Sequence, residues 1–175
     1  VRSGVFSRVA MYNPPMLKRL LVCAAAALLL AGCTRSRDVQ KDLKIVDVHT
    51  GWYDAGIVDG KNKLVPSISL RLQNVSNEAI ANVQMNAVFH RVGEQEAWGE
   101  HFVRAVDRSG LNPGATGSPL VLRSQLGYTG TESRAQMLQN SQFVDARVEV
   151  FGKHGSNNWQ KMGEFRIDRT LLTQR

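Results

Sequence analysis

Two patterns of apolar residues divide the chain. From Leu20 to Leu30 the residues are apolar without a break, so a helix there would have no polar face. Beyond Asp42 the apolar residues come in short alternating stretches, the period of a half-buried strand. Leu43-Lys44-Ile45-Val46-Asp47-Val48 starts a first strand, predicted to reach about Trp52. Asp54 to Lys63 contains Gly56 and the pair Asp59-Gly60 and reads as a turn. Pro66 is expected to open the second strand, where a missing N–H is tolerated. In that strand Ile68, Leu70 and Leu72 face one way and Ser67, Ser69, Arg71 and Gln73 the other. After the loop Asn74–Glu78, a third strand sets Ala81, Val83, Met85, Ala87 and Phe89 against Asn82, Gln84, Asn86 and His90. The fourth strand, Ala97–Val106, is expected to hold Trp98, Phe102 and Val106 in register. The fifth, Pro119–Ser124, follows a polar loop.

The rhythm breaks at Gly127-Tyr128-Thr129-Gly130-Thr131, which is turn chemistry. Thr131 is expected to cap a short helix, Glu132–Gln139, seated by Met137 and Leu138. Val144, Ala146, Val148 and Val150 alternate with Asp145, Arg147 and Glu149 and form the clearest strand pattern in the chain. Gly152–Asn158 turns, Trp159–Asp168 returns as the last strand, and Thr170–Arg175 reads as a frayed end. About seven short strands and one short helix predict an all-β fold, an immunoglobulin-like antiparallel β-sandwich over residues 43–170. The paired cysteines of antibody domains are absent, so the expectation concerns architecture alone.

The apolar run needs a different reading. It follows the basic pair Lys18-Arg19 and closes on Leu30-Ala31-Gly32-Cys33. It is shorter than the roughly 20 apolar residues a membrane-spanning helix needs, and Arg35 and Arg37 follow at once. A basic start, an apolar middle and small residues at the end describe a secretory signal, here residues 1–32. Residues 1–15 are expected to be an over-extended start, with Met11 or Met16 the first residue. Leu30-Ala31-Gly32-Cys33 resembles the lipobox of bacterial lipoproteins. That resemblance implies cleavage between Gly32 and Cys33, a diacylglycerol thioether on Cys33 and acylation of the new N-terminus. A helical signal peptide would then precede the domain, and residues 33–42 would be the lipidated cysteine and a solvated tether. Fully extended, the nine residues Thr34–Asp42 would reach about 30 Å. Because Thr34 follows the cysteine where retained lipoproteins carry Asp, the resemblance further implies the outer membrane, periplasmic side, in a two-membrane organism. With one membrane the domain would sit on the cell surface.

Removal of residues 1–32 leaves 143 of the 175 residues, enough for one domain with one core. The chain is +7 overall, but the remainder has eighteen cations against fifteen acids, a formal +3 with interspersed signs. That is no footprint for nucleic acid. Of the two cysteines, Cys23 leaves with the signal and Cys33 is the lipid attachment point, so neither a Cys-based metal site nor a thiol nucleophile is expected.

A second resemblance covers residues 66–124. Leu72-Gln73-Asn74-Val75-Ser76, Ile80–Met85 and Leu111-Asn112-Pro113-Gly114 are similar to stretches of the FxLYD-type domains of bacterial surface proteins. Those are immunoglobulin-like sandwiches to which no catalytic role is assigned. The name-giving motif falls on Asn86, Val88, Phe89 and His90 and is poorly kept.

The chemistry-bearing residues are scattered. His49, His90, His101 and His154 show no metal-ligand spacing, and His90 and His101 could meet across a hairpin but lack a third ligand. Glu94, Glu96 and Glu100 lie near a solvated hairpin and read as solubility charges. The Asn74-Val75-Ser76 sequon reads as turn chemistry, and no phosphate loop or G-x-S-x-G is present. Trp52, Tyr53, Trp98 and Trp159 are expected mainly in the core. Tyr128, flanked by glycine and without strand register, and Arg134 are the candidate partner contacts, on the loop Gly127–Gln142. The sequence therefore predicts a lipid-anchored, non-catalytic envelope protein, without cofactor or metal, that binds another envelope protein. The alternative is a small-ligand or ion carrier with a cleft between the sheets, lined by Met85, Phe89, Trp98 or Trp159.

Overall fold

The alternating stretches pair into two sheets. The computed structural model describes residues 37–172; the apolar run, Gly32 and Cys33 lie outside the described residues. In chain order the elements are α1 (Val39–Asp42), β1 (Leu43–Val58), β2 (Lys61–Asn74), β3 (Val83–Arg91), β4 (Ala97–Val106), β5 (Leu120–Arg123), β6 (Tyr128–Gly130), α2 (Arg134–Gln139), β7 (Ala146–His154), β8 (Gln160–Arg166) and β9 (Leu171–Leu172). One sheet has the order β5-β2-β1-β9, with β6 also on β2, and the other β4-β3-β7-β8. Among the described residues the fold is all-β with two short helices, consistent with a β-sandwich. The facing sides of the sheets supply the core: Leu64, Ile68, Leu70 and Leu72 from β2, Val83, Met85, Ala87 and Phe89 from β3, and Ala146, Val148 and Val150 from β7. Each of the larger ones contributes about 1.5–3 kcal/mol through burial.

Several expectations are corrected. The first two strands run much further than predicted, because the turn is only Asp59-Gly60. Both residues have left-handed backbones (φ 50° and 74°), the geometry that joins two twisted strands most tightly. Pro66 therefore lies inside β2, opposite Trp52. Its missing N–H is harmless there because the neighbouring strand changes at that point. β6 pairs with residues up to Leu64, β5 pairs from Ser67 on, and Ser124 N–H donates to the Pro66 carbonyl between them (3.0 Å).

Phe102 is not in register with Trp98 and Val106. β4 is irregular at both ends, opposite Phe89/His90 and opposite Val83/Gln84, and each irregularity reverses the alternation. Trp98 and Val106 are buried, while Phe102 is turned outward and is 57% exposed. His90, expected on the polar face, is buried, its Nδ1 3.1 Å from the Glu96 carbonyl. The last residues are not frayed as far as they are described, since β9 pairs in parallel with Trp52 and Tyr53 of β1.

Residues 37–42, expected in a solvated tether, pack onto the two sheets. Asp38 caps α1, Val39 is fully buried, and Arg37 pairs with Asp42 (3.1 Å) and Glu78 (2.6 Å). Beside them Asn74 organises the connections between the sheets. Its buried amide donates to the Glu78 and Leu111 carbonyls (2.8 Å each) and accepts from the Ser76 N–H (2.9 Å) and hydroxyl (2.7 Å). Its own N–H and carbonyl bond Ala115 and Gly114. One side chain thus ties the β2–β3 connection to the β4–β5 connection, and the sequon asparagine is a structural fastener with no exposed surface.

Candidate functional site

The candidate contacts Tyr128 and Arg134 sit at the end of the domain opposite Arg37 and Asn74. They stand beside the segments that cap the β1–β2 hairpin. Gly127-Tyr128-Thr129-Gly130 was expected to be a turn, but Tyr128–Gly130 is a strand paired with Asn62–Leu64. Gly127 permits this close approach: a Cβ there would lie 2.0 Å from the Leu64 carbonyl oxygen. The following helix begins two residues later than predicted. Ser133, not Thr131, is the cap, and it forms a capping box with Gln136. Met137 and Leu138 seat the helix as expected.

The Tyr128 ring is not a free loop side chain. It packs 5.6 Å from Trp52, 5.0 Å from Trp98 and 4.5 Å from Phe143, and Trp52 contacts Phe143 edge-on at 4.6 Å. Its hydroxyl donates to the Val144 carbonyl (3.0 Å), and burial pushes its pKa up. Arg134 pairs with Asp54 of β1 (2.5 Å), tying α2 to the first sheet. From the other side, Arg169 clamps the segment. It donates to the Phe143 carbonyl (2.7 Å) and to Asp145 (2.6 Å), and its guanidinium lies 5.2 Å from the Phe143 ring. The hydrogen bond from Arg169, supported by that from Arg166, holds the Asp145 carboxyl below the ordinary aspartate range.

Between β6 and α2 lies a pocket of 190 Å³ lined by Tyr128, Thr129, Gly130, Glu132, Met137, Asn140, Gln142 and Phe143. The lining combines two aromatic rings and a thioether with a carboxylate and two amides. That suits one amphipathic side chain better than a whole small molecule, whose sites run to about 300–1,000 Å³. Glu132 is its one acidic side chain, and neither an imidazole nor a thiol is among the lining residues.

The remaining candidates are not brought together. His90 faces the outer side of its sheet, near Glu149 (3.8 Å), whereas the ring of His101 meets the Arg123 backbone at the other side. No group of three metal-ligating side chains occurs among the described residues. Met85 and Phe89 are fully buried in the packed core with Trp98 beside them. Trp159 lies on the outer surface against Phe102, so these four side chains line no common cleft. Sequence reasoning missed Phe143 and Arg169. Phe143 stood outside the regular alternation, and an arginine after the last predicted strand carries no signal of its carbonyl partners.

No family model matches this chain. Nor does any curated protein match it. Among solved structures it is similar to a structural-genomics protein, Northeast Structural Genomics Consortium target SoR45 (10% identity, TM-score 0.42, covering 74% of this chain and 89% of that one). It is also similar to the ligand binding region of serine-glutamate repeat protein A of Enterococcus faecium (10% identity, TM-score 0.32, covering 74% of this chain and all of that one). Likenesses of this size carry no argument about fold or function.

Proposed function

We propose that the chain is a lipid-anchored, non-catalytic cell-envelope protein that engages another envelope protein through the β6–α2 end of an immunoglobulin-like sandwich. The observation that carries the reading is the sequence Leu30-Ala31-Gly32-Cys33 behind an apolar run too short to span a membrane. For the immunoglobulin-like class the support is strand order. The sheets β5-β2-β1 and β4-β3-β7-β8 follow the order of strands E-B-A and C′-C-F-G in that class. The bond from Asn74 to the Leu111 carbonyl joins two of the stretches that resemble FxLYD-type domains.

Anchorage at Cys33 would also orient the domain. Arg37 is already docked on the sheets, so only four residue steps separate it from the lipid, at most about 14 Å of chain. The Arg37–Asn74 end then stands at the bilayer, and the pocket between Tyr128 and α2 points away from it, toward partners on other envelope components. The proposed location is the outer membrane, periplasmic side, in a two-membrane organism, and the cell surface in an organism with one membrane.

The experiment places a photo-crosslinking amino acid at the exposed pocket residue Thr129 and, separately, at Ser156 near the anchored end, in cells producing the full chain. The proposal expects a discrete heterologous adduct from Thr129 and none of the same size from Ser156. Equal adducts at both sites, or none at Thr129, would overturn it. A Cys33→Ala chain should at the same time leave the membrane fraction.

A further inference from the structure

We infer that the outer face of the β4-β3-β7-β8 sheet is a self-association surface that takes a second copy of this chain across a two-fold axis. The register places three rows across this face: Glu100, Val88 and Glu149; then Phe102, Asn86 and Phe151; then Arg104, Gln84 and Lys153. β4 and β7 flank β3 and run the same way, so each presents the same outward series of acid, phenylalanine and base. Glu100-His101-Phe102-Val103-Arg104 is repeated as Glu149-Val150-Phe151-Gly152-Lys153.

Such a face is complementary to itself. With a two-fold axis lying along the middle row, β4 meets its counterpart with direction reversed. Phe102 then faces Phe102, and Glu100 faces Arg104 of the other copy. On β7 the same operation sets Phe151 on Phe151 and Glu149 on Lys153. A two-fold contact requires each patch to fit its own image, and two independent strands here satisfy that with both charge and apolar surface.

The middle of the face is unusually apolar for an outer surface. Phe102 is 57% exposed and meets the 39%-exposed Trp159 edge-on at 6.1 Å, with the Lys153 ammonium 4.8 Å from the indole. The charges differ in availability. Glu149 is held by Lys161 (3.0 Å) and Arg147 (2.9 Å), whereas Glu100 is exposed, bonded by the Asn86 amide (3.2 Å), and Arg104 is exposed. The β4 pair is therefore the one to perturb. Four strands by five residues make a face of about 19 by 17 Å, roughly 650 Å² over both copies, which is below the size of stable interfaces and in the range of weak, transient association. Confinement to a membrane would favour it further.

The test is sedimentation equilibrium of the purified full chain in detergent, with Glu100→Arg, Arg104→Glu and the double variant. All the changed side chains are exposed, and circular dichroism checks that each variant keeps its strand content. The parent should dimerise, and each single reversal, acting twice across the axis, should weaken dimerisation about 10-fold or more. The double variant should return to within about 3-fold of the parent, and an equal mixture of the two single variants should associate as well as the double. A monomeric parent at every concentration, single variants without effect, or a double variant no better than the weaker single would each overturn the inference.

Discussion

Substituting Asn74 puts the account of the fold under the sharpest strain. Asn74→Ala removes four side-chain hydrogen bonds: two donated to the Glu78 and Leu111 carbonyls and two accepted from Ser76. At about 0.5–1.5 kcal/mol each, the gross loss is about 2–6 kcal/mol. The carbonyls are not wholly orphaned, because Leu111 still receives the Ile80 N–H (3.1 Å) and the Ser76 hydroxyl, freed from Asn74, can turn its one hydrogen to the Glu78 carbonyl (2.9 Å). The expected loss is therefore about 2–4 kcal/mol, a large share of a typical domain's 5–15. Asn74→Asp has the same shape but sets a carboxylate oxygen where the amide donated, 2.8 Å from two carbonyl oxygens. Folding then disfavours the charged form and raises that carboxyl's pKa above its unfolded value of about 3.9. A group raised in this way costs least below the unfolded value, and its cost grows as pH rises through the folded one. Urea unfolding followed by tryptophan fluorescence, corrected for the parent's own pH dependence, should rank Asp above Ala at pH 4 and below it at pH 8. Loss of less than about 0.5 kcal/mol in the alanine variant, or an unchanged ranking across pH, would refute the role given to Asn74.

Three further outcomes follow from the Tyr128 end. Gly127→Ala should detach β6 from β2, because the new Cβ meets the Leu64 carbonyl oxygen at 2.0 Å. Near-ultraviolet circular dichroism of the aromatic cluster should collapse, with a stability loss of about 3 kcal/mol or more. Arg169→Ala should cost about 1–3 kcal/mol in urea unfolding and move Asp145 back toward the ordinary aspartate range, which carboxyl NMR titration reads directly. Since Asp145 is held low in the folded state, its contribution is present above about pH 4 and is lost as pH falls through the folded value, so Arg169→Ala should flatten the parent's acid-stability profile. Tyr128→Phe should lose only the bond to Val144, about 0.5–1.5 kcal/mol, with the ring contacts kept.

What could be read from the chain depended on whether alternation ran undisturbed. β3 and β7 alternate cleanly, and Val83, Met85, Ala87, Phe89, Ala146, Val148 and Val150 are buried as their period implies. In β4 the irregularities at its two ends shift the phase, and no residue in Ala97–Val106 announces them, so the period alone sets Phe102 in register with Trp98 and Val106. The short hairpin turn was visible as Asp59-Gly60, yet Gly56 and Pro66 suggested a longer interruption. Their accommodation depends on a bulge and on a gap in a neighbouring strand, both of which are tertiary facts. At the candidate site the positions Tyr128 and Arg134 were legible as unusual, but their partners were not. Phe143, Asp54 and Arg169 lie far enough apart in the chain that only the closed sheets bring them together.

The proposed function rests on the fate of one sulfur atom. Mass spectrometry of the N-terminal peptide, taken from the full chain extracted from membranes, reads it directly. The account predicts a chain beginning at Cys33 with a diacylglycerol thioether and an acylated amino group. A chain that still carries residues before Cys33, or that begins there with an unmodified thiol, would contradict it.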